Sequence, residues 1–194
     1  SKPNPIILRQ TVAKAGGDEL PYPIGCSDLI NLTGAPLQLE EARRIRFFFF
    51  LGNTDPKKNT KGTLRAFSDY LAKTGNDIHL VMLDYDRYEL EQLLEEIGDT
   101  ELIHRIILTG YVVNTDLPSI YCQSEVFLYP SLRESFGIPM LEAMACGVPV
   151  ITSNTSSMPE VAGDAAMLTN PYEPAEITTA MIRLKKKKKL RSDL

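Results

Sequence analysis

The chain has 194 residues, of which 43% are hydrophobic and 24% are charged, and this balance excludes a disordered chain, a collagen and a disulfide-rich scaffold. The 21 basic and 25 acidic residues give a formal net charge of -4, so the overall charge gives no reason to expect nucleic-acid binding. The length fits a single large domain.

The predicted elements begin after an irregular lead-in. Residues 1–40 contain five prolines, several glycines and little periodicity. Residues 41–194 contain apolar runs and helical stripes and are predicted to form the folded domain. In chain order, strands are predicted at 46–52, 79–83, 106–108, 126–129, 148–152 and 165–168, and helices at 64–71, 90–97, 117–122, 138–145 and, opening the last helix, 174–184.

The alternation of strands and helices at this spacing predicts an α/β fold, a doubly wound and mostly parallel sheet with helices on both faces. Ligands of such sheets bind in the crevice at the carboxyl ends of the strands. Functional residues are therefore expected in the loops that follow Leu51, Leu83, Leu108 and Tyr129.

Cysteine usage and the first residues of the chain bear on its location. Cys26, Cys122 and Cys146 are far apart and odd in number, and no Cys-x-x-Cys pair indicates a metal site. The first ten residues lack a secretory signal pattern, and no run of 18 apolar residues predicts a membrane span. We therefore expect reduced thiols in a cytoplasmic protein, and we attribute the glycosylation sequons at 31–33 and 154–156 to chance.

The helix predicted after the fourth strand contains an unexpected carboxylate. Ile138, Leu141 and Ala145 fall on one helix face, and Glu142 lies at the edge of that apolar stripe. Burying an unpaired carboxylate is costly, so Glu142 is expected to have a hydrogen-bond donor in the protein or on a ligand. Sugar or ribose hydroxyls are donors of this kind.

The start of the same helix offers a second feature. Gly137 lets a ligand approach the main chain, and the first amides of a helix are unpaired donors at the positive end of its dipole. An anionic or hydroxyl-rich ligand is favoured there. Glu134 and Glu142 are alternatively ordinary acids favoured by the helix dipole, but their combination with Gly137 at a strand end favours a ligand site.

The loop after the first strand contains Lys57 and Lys58 within residues 52–59. A lysine at the carboxyl end of a parallel strand can reach phosphate oxygens and neutralise the charge of a leaving diphosphate. Alone, an Asp-Pro-Lys-Lys turn is more often a solvated loop, so its interpretation as a phosphate site depends on the second motif.

Six ordered motifs together resemble one enzyme family. They are Gly52–Asn59, Gly110–Val112, Leu128–Ser131, Glu134–Pro139, Glu142–Val150 and Ser157–Ala166. They are similar to the carboxyl-terminal, donor-binding domain of GT-B-fold retaining glycosyltransferases of the group 1 or family 4 type, which include bacterial mannosyl- and glucosyltransferases. The resemblance covers about residues 45–184, and residues 23–28 are weakly similar to the interdomain segment that precedes this domain.

The resemblance implies a role for each matching residue. Lys58 would contact the donor diphosphate, Glu134 would face the transferred sugar, and these two are the implied catalytic residues. The implied substrate-binding residues are Gly52, Asn53, Tyr111 and Val112 beside the base and phosphates, the amides around Ser135, Phe136, Gly137 and Ile138, and Glu142 at the ribose. Two departures stand out, because many relatives have an arginine at the position of Asn53 and a glycine-rich turn in place of residues 84–86.

The resemblance also implies the reaction. A hexose passes from a nucleotide diphosphate sugar to an acceptor hydroxyl with retention of configuration and without a metal or other cofactor. The family makes mannose or glucose the expected hexose. The acceptor, a glycan or lipid-linked sugar, would be bound by an amino-terminal domain that this sequence does not resemble. We therefore expect the isolated chain to bind donor and to transfer sugar poorly or not at all.

Other functions are weighed against this one. The same crevice would serve a non-catalytic nucleotide-sugar-binding module or a GT-B-fold sugar epimerase. A dinucleotide oxidoreductase is disfavoured, because no Gly-x-Gly-x-x-Gly follows the first strand. His79 and His104 are assigned no catalytic role, and the lysine run 185–189 is interpreted as a solvated face rather than a membrane or nucleic-acid contact.

Overall fold

The structure, a computed structural model, describes residues 45–192, with side chains described as far as Lys185. The lead-in 1–40, with Cys26 and the first sequon, lies outside the described residues. So do the side chains of 186–189, which form most of the lysine run.

Six parallel strands form one sheet in the order β3-β2-β1-β4-β5-β6. This order confirms the predicted doubly wound sheet, and it reverses between β1 and β4, which lie side by side. The strands are β1 (Phe47–Phe50), β2 (His79–Met82), β3 (Ile106–Leu108), β4 (Val126–Tyr129), β5 (Val150–Ser153) and β6 (Met167–Thr169).

The helices follow the predicted order with one addition. They are α1 (Thr60–Thr74), α2 (Arg87–Ile97), α3 (Leu117–Gln123), α4 (Ile138–Ala145), α5 (Met158–Ala162) and α6 (Pro174–Ser192). The short α5 and the 3-10 helices Pro56–Lys58 and Thr100–Arg105 were not predicted, because three to six residues are too few to show a helical period. Between residues 45 and 192, no helix combines the length and the apolarity that a membrane crossing needs.

The four phenylalanines of β1 divide the core between the two faces of the sheet. Phe47 and Phe49 pack in one cluster with α3, α4 and α5, and Phe48 and Phe50 pack in the other with α1, α2 and α6. All four are buried, as a strand covered on both faces requires. The same alternation places helices on both faces of the sheet.

The predicted apolar face of α4 is wrong. Met140 and Ala143 are the buried residues of this helix, whereas Ile138 is 60% exposed. Because almost every position of α4 is apolar, its sequence fits several helical stripes, and packing against the sheet selects the one through Met140 and Ala143. Ile138 is consequently exposed at the start of α4 rather than packed in the core.

Candidate functional site

The loops after β1 and β4 meet where the strand order reverses, and each contributes one charged side chain. Lys58 ends the 3-10 helix that follows β1, and Glu134 lies in the loop between β4 and α4. Lys58 Nζ donates a hydrogen bond to Glu134 Oε1 at 2.6 Å. Their side chains are only 17% and 12% exposed, so the ion pair is held in a largely protein environment.

Local hydrogen bonds explain why the loop after β1 presents Lys58. Asp55 accepts a hydrogen bond from the Lys57 amide and caps the turn, which Pro56 begins. Asn59 ends the turn in the left-handed conformation, and its Nδ2 donates to the carbonyl oxygens of Pro130 at 3.0 Å and Pro171 at 2.7 Å. One amide therefore fastens the Lys58 loop to the loops after β4 and β6.

The hydroxyl of Tyr129 completes the group around the ion pair. Lys58 Nζ lies 3.3 Å from Tyr129 Oη and 5.2 Å from the centre of its ring. Partial burial raises the pKa of Glu134, but hydrogen bonds with Lys58 and Tyr129 and the charge of Lys58 outweigh it, so this pKa lies below its ordinary value. Burial, followed by Glu134, raises the pKa of Tyr129. The site thus holds an ionised carboxylate beside a neutral phenol.

A cleft of about 360 Å³ opens at the carboxyl ends of β1, β2 and β3. It brings together five residues that the sequence predicted for one site: Gly52, Asn53, Lys58, Tyr111 and Val112. Val112 is buried in the cleft wall, and Tyr111 is 66% exposed at its edge. The predicted residues that precede α4, which are Glu134, Ser135, Phe136 and Gly137, do not line this cleft. Glu134 is connected to it by its ion pair with Lys58.

The two departures from the family pattern both lie in the cleft wall. Asn53 Oδ1 accepts from the Asp55 amide, so this side chain supports its own loop. Asp84 has a φ of +46°, a left-handed conformation that glycine adopts without strain, and its amide donates to the Gly110 carbonyl. Asp84 therefore preserves the backbone of a glycine turn while adding a carboxylate to the cleft.

Glu142 is not at the edge of a buried stripe, because it is exposed on α4. Its expected donor is a protein group, since Tyr121 Oη donates to Glu142 Oε2 at 3.1 Å. Burial, followed by the charge of Glu142, raises the pKa of Tyr121. Oε1 of the same carboxylate can accept a further hydrogen bond from a ligand hydroxyl.

An aromatic cluster explains the placement of both tyrosine hydroxyls. The Tyr121 ring lies 5.1 Å from Phe49 and 5.1 Å from Phe127, and Phe127 stacks 5.7 Å from Tyr129. The rings are buried, and the hydroxyls end at Glu142 and Lys58. Neither tyrosine was predicted as a site residue from the sequence, although the strand and the helix that carry them were predicted.

The residues before α4 form the other edge of the site. Gly137 is the N-cap with a φ of +83°, and no side chain caps the helix. A Cβ at Gly137 would stand 2.6 Å from Met158 Cε, so both the positive φ and the packing against Met158 favour glycine at this position. Phe136 is 55% exposed, and Ser135 is exposed beside it. This edge offers helix amides, apolar surface and a hydroxyl.

Other candidate groups contribute little to the site. His104 is exposed on its turn, and burial lowers the pKa of His79. Packing of α3 against α4 places the Cys122 and Cys146 thiols in interaction despite their separation in sequence, and both are free. In the part of the chain that the structure describes, no three His, Cys, Asp or Glu side chains are grouped as around a metal ion.

The arrangement suits a ligand with a negative centre and hydroxyl groups. Lys58 offers a cation at the cleft, the start of α4 offers amides, and Glu134 and Glu142 offer acceptors for hydroxyl protons. All four groups lie in segments that follow β1 or β4, the two strands at which the strand order reverses.

Comparison with known proteins adds the family. Residues 38–194 match the protein family described as glycosyl transferases group 1. O-antigen chain mannosyltransferase B from Escherichia coli is 38% identical over 140 residues, which cover 71% of this chain and 36% of that protein. The chain thus spans about a third of the length of this relative.

Solved structures show the same fold. The C-terminal domain of a glycosyl transferase group 1 family protein (LpcC) from Francisella tularensis has a TM-score of 0.64 at 25% identity, over 76% of this chain and 78% of that one. An α,α-trehalose-phosphate synthase (UDP-forming) from Burkholderia vietnamiensis has a TM-score of 0.63 at 17% identity, over 75% of this chain and 39% of that one. At this identity the similarity shows the fold alone.

Proposed function

The chain belongs to the family of group 1 glycosyl transferases, and from this membership we propose that it is the donor-binding domain of a retaining hexosyltransferase. The donor is a nucleoside diphosphate hexose, and the acceptor is a hydroxyl of a glycan or lipid-linked sugar. The mannosyltransferase name of a relative that is 38% identical favours mannose as the hexose.

The observation that carries this proposal is the placement of Lys58. Lys58 lines the cleft after β1, and its ammonium group contacts Glu134 from the loop after β4. A nucleotide bound with its base beside Tyr111 and Val112 directs its diphosphate towards Lys58. Its sugar then lies next to Glu134, so one cation links the leaving group to the reacting sugar.

The proposed reaction proceeds on one face of the sugar. The bond between the anomeric carbon and the phosphate oxygen breaks, the acceptor oxygen bonds to that carbon from the same side, and the acceptor proton passes to the leaving phosphate oxygen. Lys58 and the α4 amides stabilise the charge on the diphosphate, a role we assign to them without a metal ion. Glu134 positions the sugar as positive charge develops on its ring.

Glu142 and Tyr121 hold the ribose in this proposal. With Tyr121 bonded to Oε2, Oε1 of Glu142 accepts from a ribose hydroxyl. The helix that bears Glu142 also presents its amino-terminal amides to the phosphates, so α4 contacts two parts of the donor.

The site is open on the side of the acceptor. Phe136 and Ile138 are exposed at the start of α4, where an acceptor domain would cover them. We therefore expect the 194-residue chain to bind donor but to transfer hexose at background rates.

Calorimetry of the chain against UDP, GDP and their glucose and mannose conjugates tests donor binding. We expect one nucleotide to bind and Lys58→Ala to weaken its binding, whereas Lys57→Ala, at an exposed neighbouring residue, serves as the matched control. Failure of every nucleoside diphosphate to bind would overturn the proposal.

A transfer assay with labelled donor tests the open site separately. Efficient transfer to an acceptor by the chain alone would contradict the expected background rate without affecting donor binding. The anomeric proton in the NMR spectrum of product made with an acceptor domain present reports retention, and an inverted product would exclude the proposed stereochemistry.

A further inference from the structure

Three consecutive hydroxyl side chains after β5 contact the loop that contains Glu134. Thr155 Oγ1 donates to the Leu132 carbonyl at 3.3 Å, and Ser157 Oγ donates to the Glu134 carbonyl at 3.1 Å. Ser156 Oγ donates to the same Glu134 carbonyl at 2.6 Å. Residues 154–156 form the second glycosylation sequon, and the hydroxyls of Thr155 and Ser156 make contacts within the fold.

Ser156 bonds to both polar groups of the Glu134 main chain. Besides donating to the carbonyl, its hydroxyl accepts from the Glu134 amide at 3.2 Å. Ser156 has a φ of +58°, a conformation that is uncommon for residues other than glycine, asparagine and aspartate. Because β4 and β5 are neighbours in the sheet, the loops that follow them lie side by side. In this strained conformation the Ser156 hydroxyl contacts Glu134.

Glu134 depends on such contacts for its position. It lies before α4 begins, so helical hydrogen bonds do not fix its backbone. Its carboxylate nevertheless keeps a 2.6 Å contact with Lys58, which comes from a different loop. A shift of the Glu134 backbone by a fraction of an ångström would lengthen this bond and misplace the carboxylate.

We propose that Ser156 and Ser157 are positioning residues, whose hydroxyls clamp the Glu134 main chain and thereby hold its carboxylate against Lys58 at the donor site. The proposal rests on the proposed function for its effect on donor binding. The clamp itself is a property of the unliganded chain. The two serines contact no substrate in this role and act through Glu134 alone.

Two substitutions remove the clamp with little other change. Ser156→Gly deletes the hydroxyl and fits the positive φ, and Ser157→Ala deletes the second donor. Thr155→Ala is the matched control, because it removes a hydroxyl of the same loop that bonds to Leu132 instead of Glu134. Ser157→Thr restores a hydroxyl and is the conservative rescue.

The first readout is the titration of Glu134, followed by NMR of chains labelled with ¹³C at the glutamate carboxyl carbon. In the Ser156→Gly/Ser157→Ala variant we expect the Glu134 pKa to rise towards its ordinary value, because the carboxylate separates from Lys58. Thr155→Ala and Ser157→Thr should retain the wild-type titration. A Glu134 titration unchanged in the double variant would overturn the clamp. If the double variant does not fold, the single Ser156→Gly variant is titrated in its place, because it removes both Ser156 hydrogen bonds and fits the positive φ.

The second readout is the calorimetric affinity for the nucleoside diphosphate hexose that binds the wild type. We expect the double variant to bind it about five- to tenfold more weakly and Thr155→Ala to bind it as the wild type does. If the wild type binds no such donor, the proposed function fails, and the titration of Glu134 still decides the clamp. Unchanged affinity together with a raised pKa would refute the role in donor binding.

Discussion

Lys58 and Glu134 come from loops on opposite sides of the switch point of the sheet and form an ion pair of 2.6 Å. The positive charge of Lys58, which would bind a diphosphate, is therefore already balanced by the carboxylate of Glu134. Partial exposure of both side chains leaves the pair accessible to a ligand. In our proposal a bound donor inserts its phosphate and sugar on either side of this pair.

Replacement of Lys58 tests its proposed contact with the diphosphate. Lys58→Ala removes a charge-assisted hydrogen-bond donor and leaves the Glu134 carboxylate to repel the phosphates. We expect the dissociation constant for a nucleoside diphosphate to rise about 10- to 100-fold, measured by calorimetry. Lys57→Ala should change it less than about twofold, because Lys57 pairs with Asp55 on the surface. Equal effects of both substitutions on the dissociation constant would show that the ligand responds to the net positive charge of the loop and not to a specific contact with Lys58.

Replacement of Glu134 tests the electrostatics of the pair. The lowered pKa of Glu134 means that its charge stabilises the fold fully above its ordinary pKa of about 4.3 and ceases to do so as the pH falls through the lowered value. Glu134→Gln should therefore lower the free energy of unfolding at neutral pH, and the difference from wild type should disappear in acid. Urea unfolding between pH 7 and pH 3 measures it.

The Lys58→Ala background provides the control for this titration. Burial acts against the charged form of Glu134, and the bonds with Lys58 and Tyr129 favour it. Without Lys58, the pH dependence of the Glu134→Gln effect should weaken. An unchanged dependence would show that other groups lower this pKa.

The sheet was predictable from the sequence, because its strands are short apolar runs between polar loops. Phe47–Phe50 and Val126–Tyr129 are buried on both faces, and such runs differ clearly from amphipathic helices. Because the strands were predicted to be parallel, the loops after β1 and β4, with Lys58 and Glu134, could be placed at the same edge of the sheet, that of the carboxyl ends. Burial within α4 was not predictable, since a helix of apolar residues has no unique stripe.

The supporting groups of the site were not predictable, because they depend on contacts between distant segments. Tyr121 and Glu142 are 21 residues apart, and Ser156 and Glu134 are 22 apart. In a single sequence, a buried tyrosine that supports a carboxylate has the same pattern as one that fills the core. Tyr121 and Tyr129 do both, since their rings pack in the core and their hydroxyls reach the site.

Replacement of Asp84 tests the negative charge in the cleft wall. Asp84 is exposed there, and its carboxylate would lie near the phosphates of a bound donor. We expect Asp84→Asn, which keeps the shape and tolerates the positive φ, to bind a nucleoside diphosphate about two- to fivefold more tightly. The gain should shrink at high salt, because an exposed charge is screened. Weaker binding in calorimetry would show that the carboxylate contacts the ligand favourably, for example through a hydroxyl.

Replacement of Tyr121 tests its support of Glu142. Tyr121→Phe keeps the ring between Phe49 and Phe127 and removes only the hydroxyl that bonds to Glu142. We expect about fivefold weaker binding of a nucleoside diphosphate, because the carboxylate loses its orientation. The effect should be absent in a Glu142→Ala background.

The matched control for Tyr121 is Tyr88→Phe. The Tyr88 hydroxyl accepts a surface hydrogen bond from Gln92, and its loss should leave the affinity unchanged. A Tyr121→Phe effect that persists without Glu142 would show that the tyrosine acts through another contact.

Replacement of Gly137 tests the conformation that begins α4. Gly137→Ala forces a side chain into a φ of +83° and places its Cβ 2.6 Å from Met158 Cε, whereas Gly147→Ala imposes a similar φ of +71° with no atom within 4 Å. We expect Gly147→Ala to lower the free energy of unfolding by about 1 kcal/mol and Gly137→Ala by about 2 to 3 kcal/mol in urea unfolding. The difference between them measures the contact with Met158, and equal losses would show that this flexible side chain moves aside at no cost.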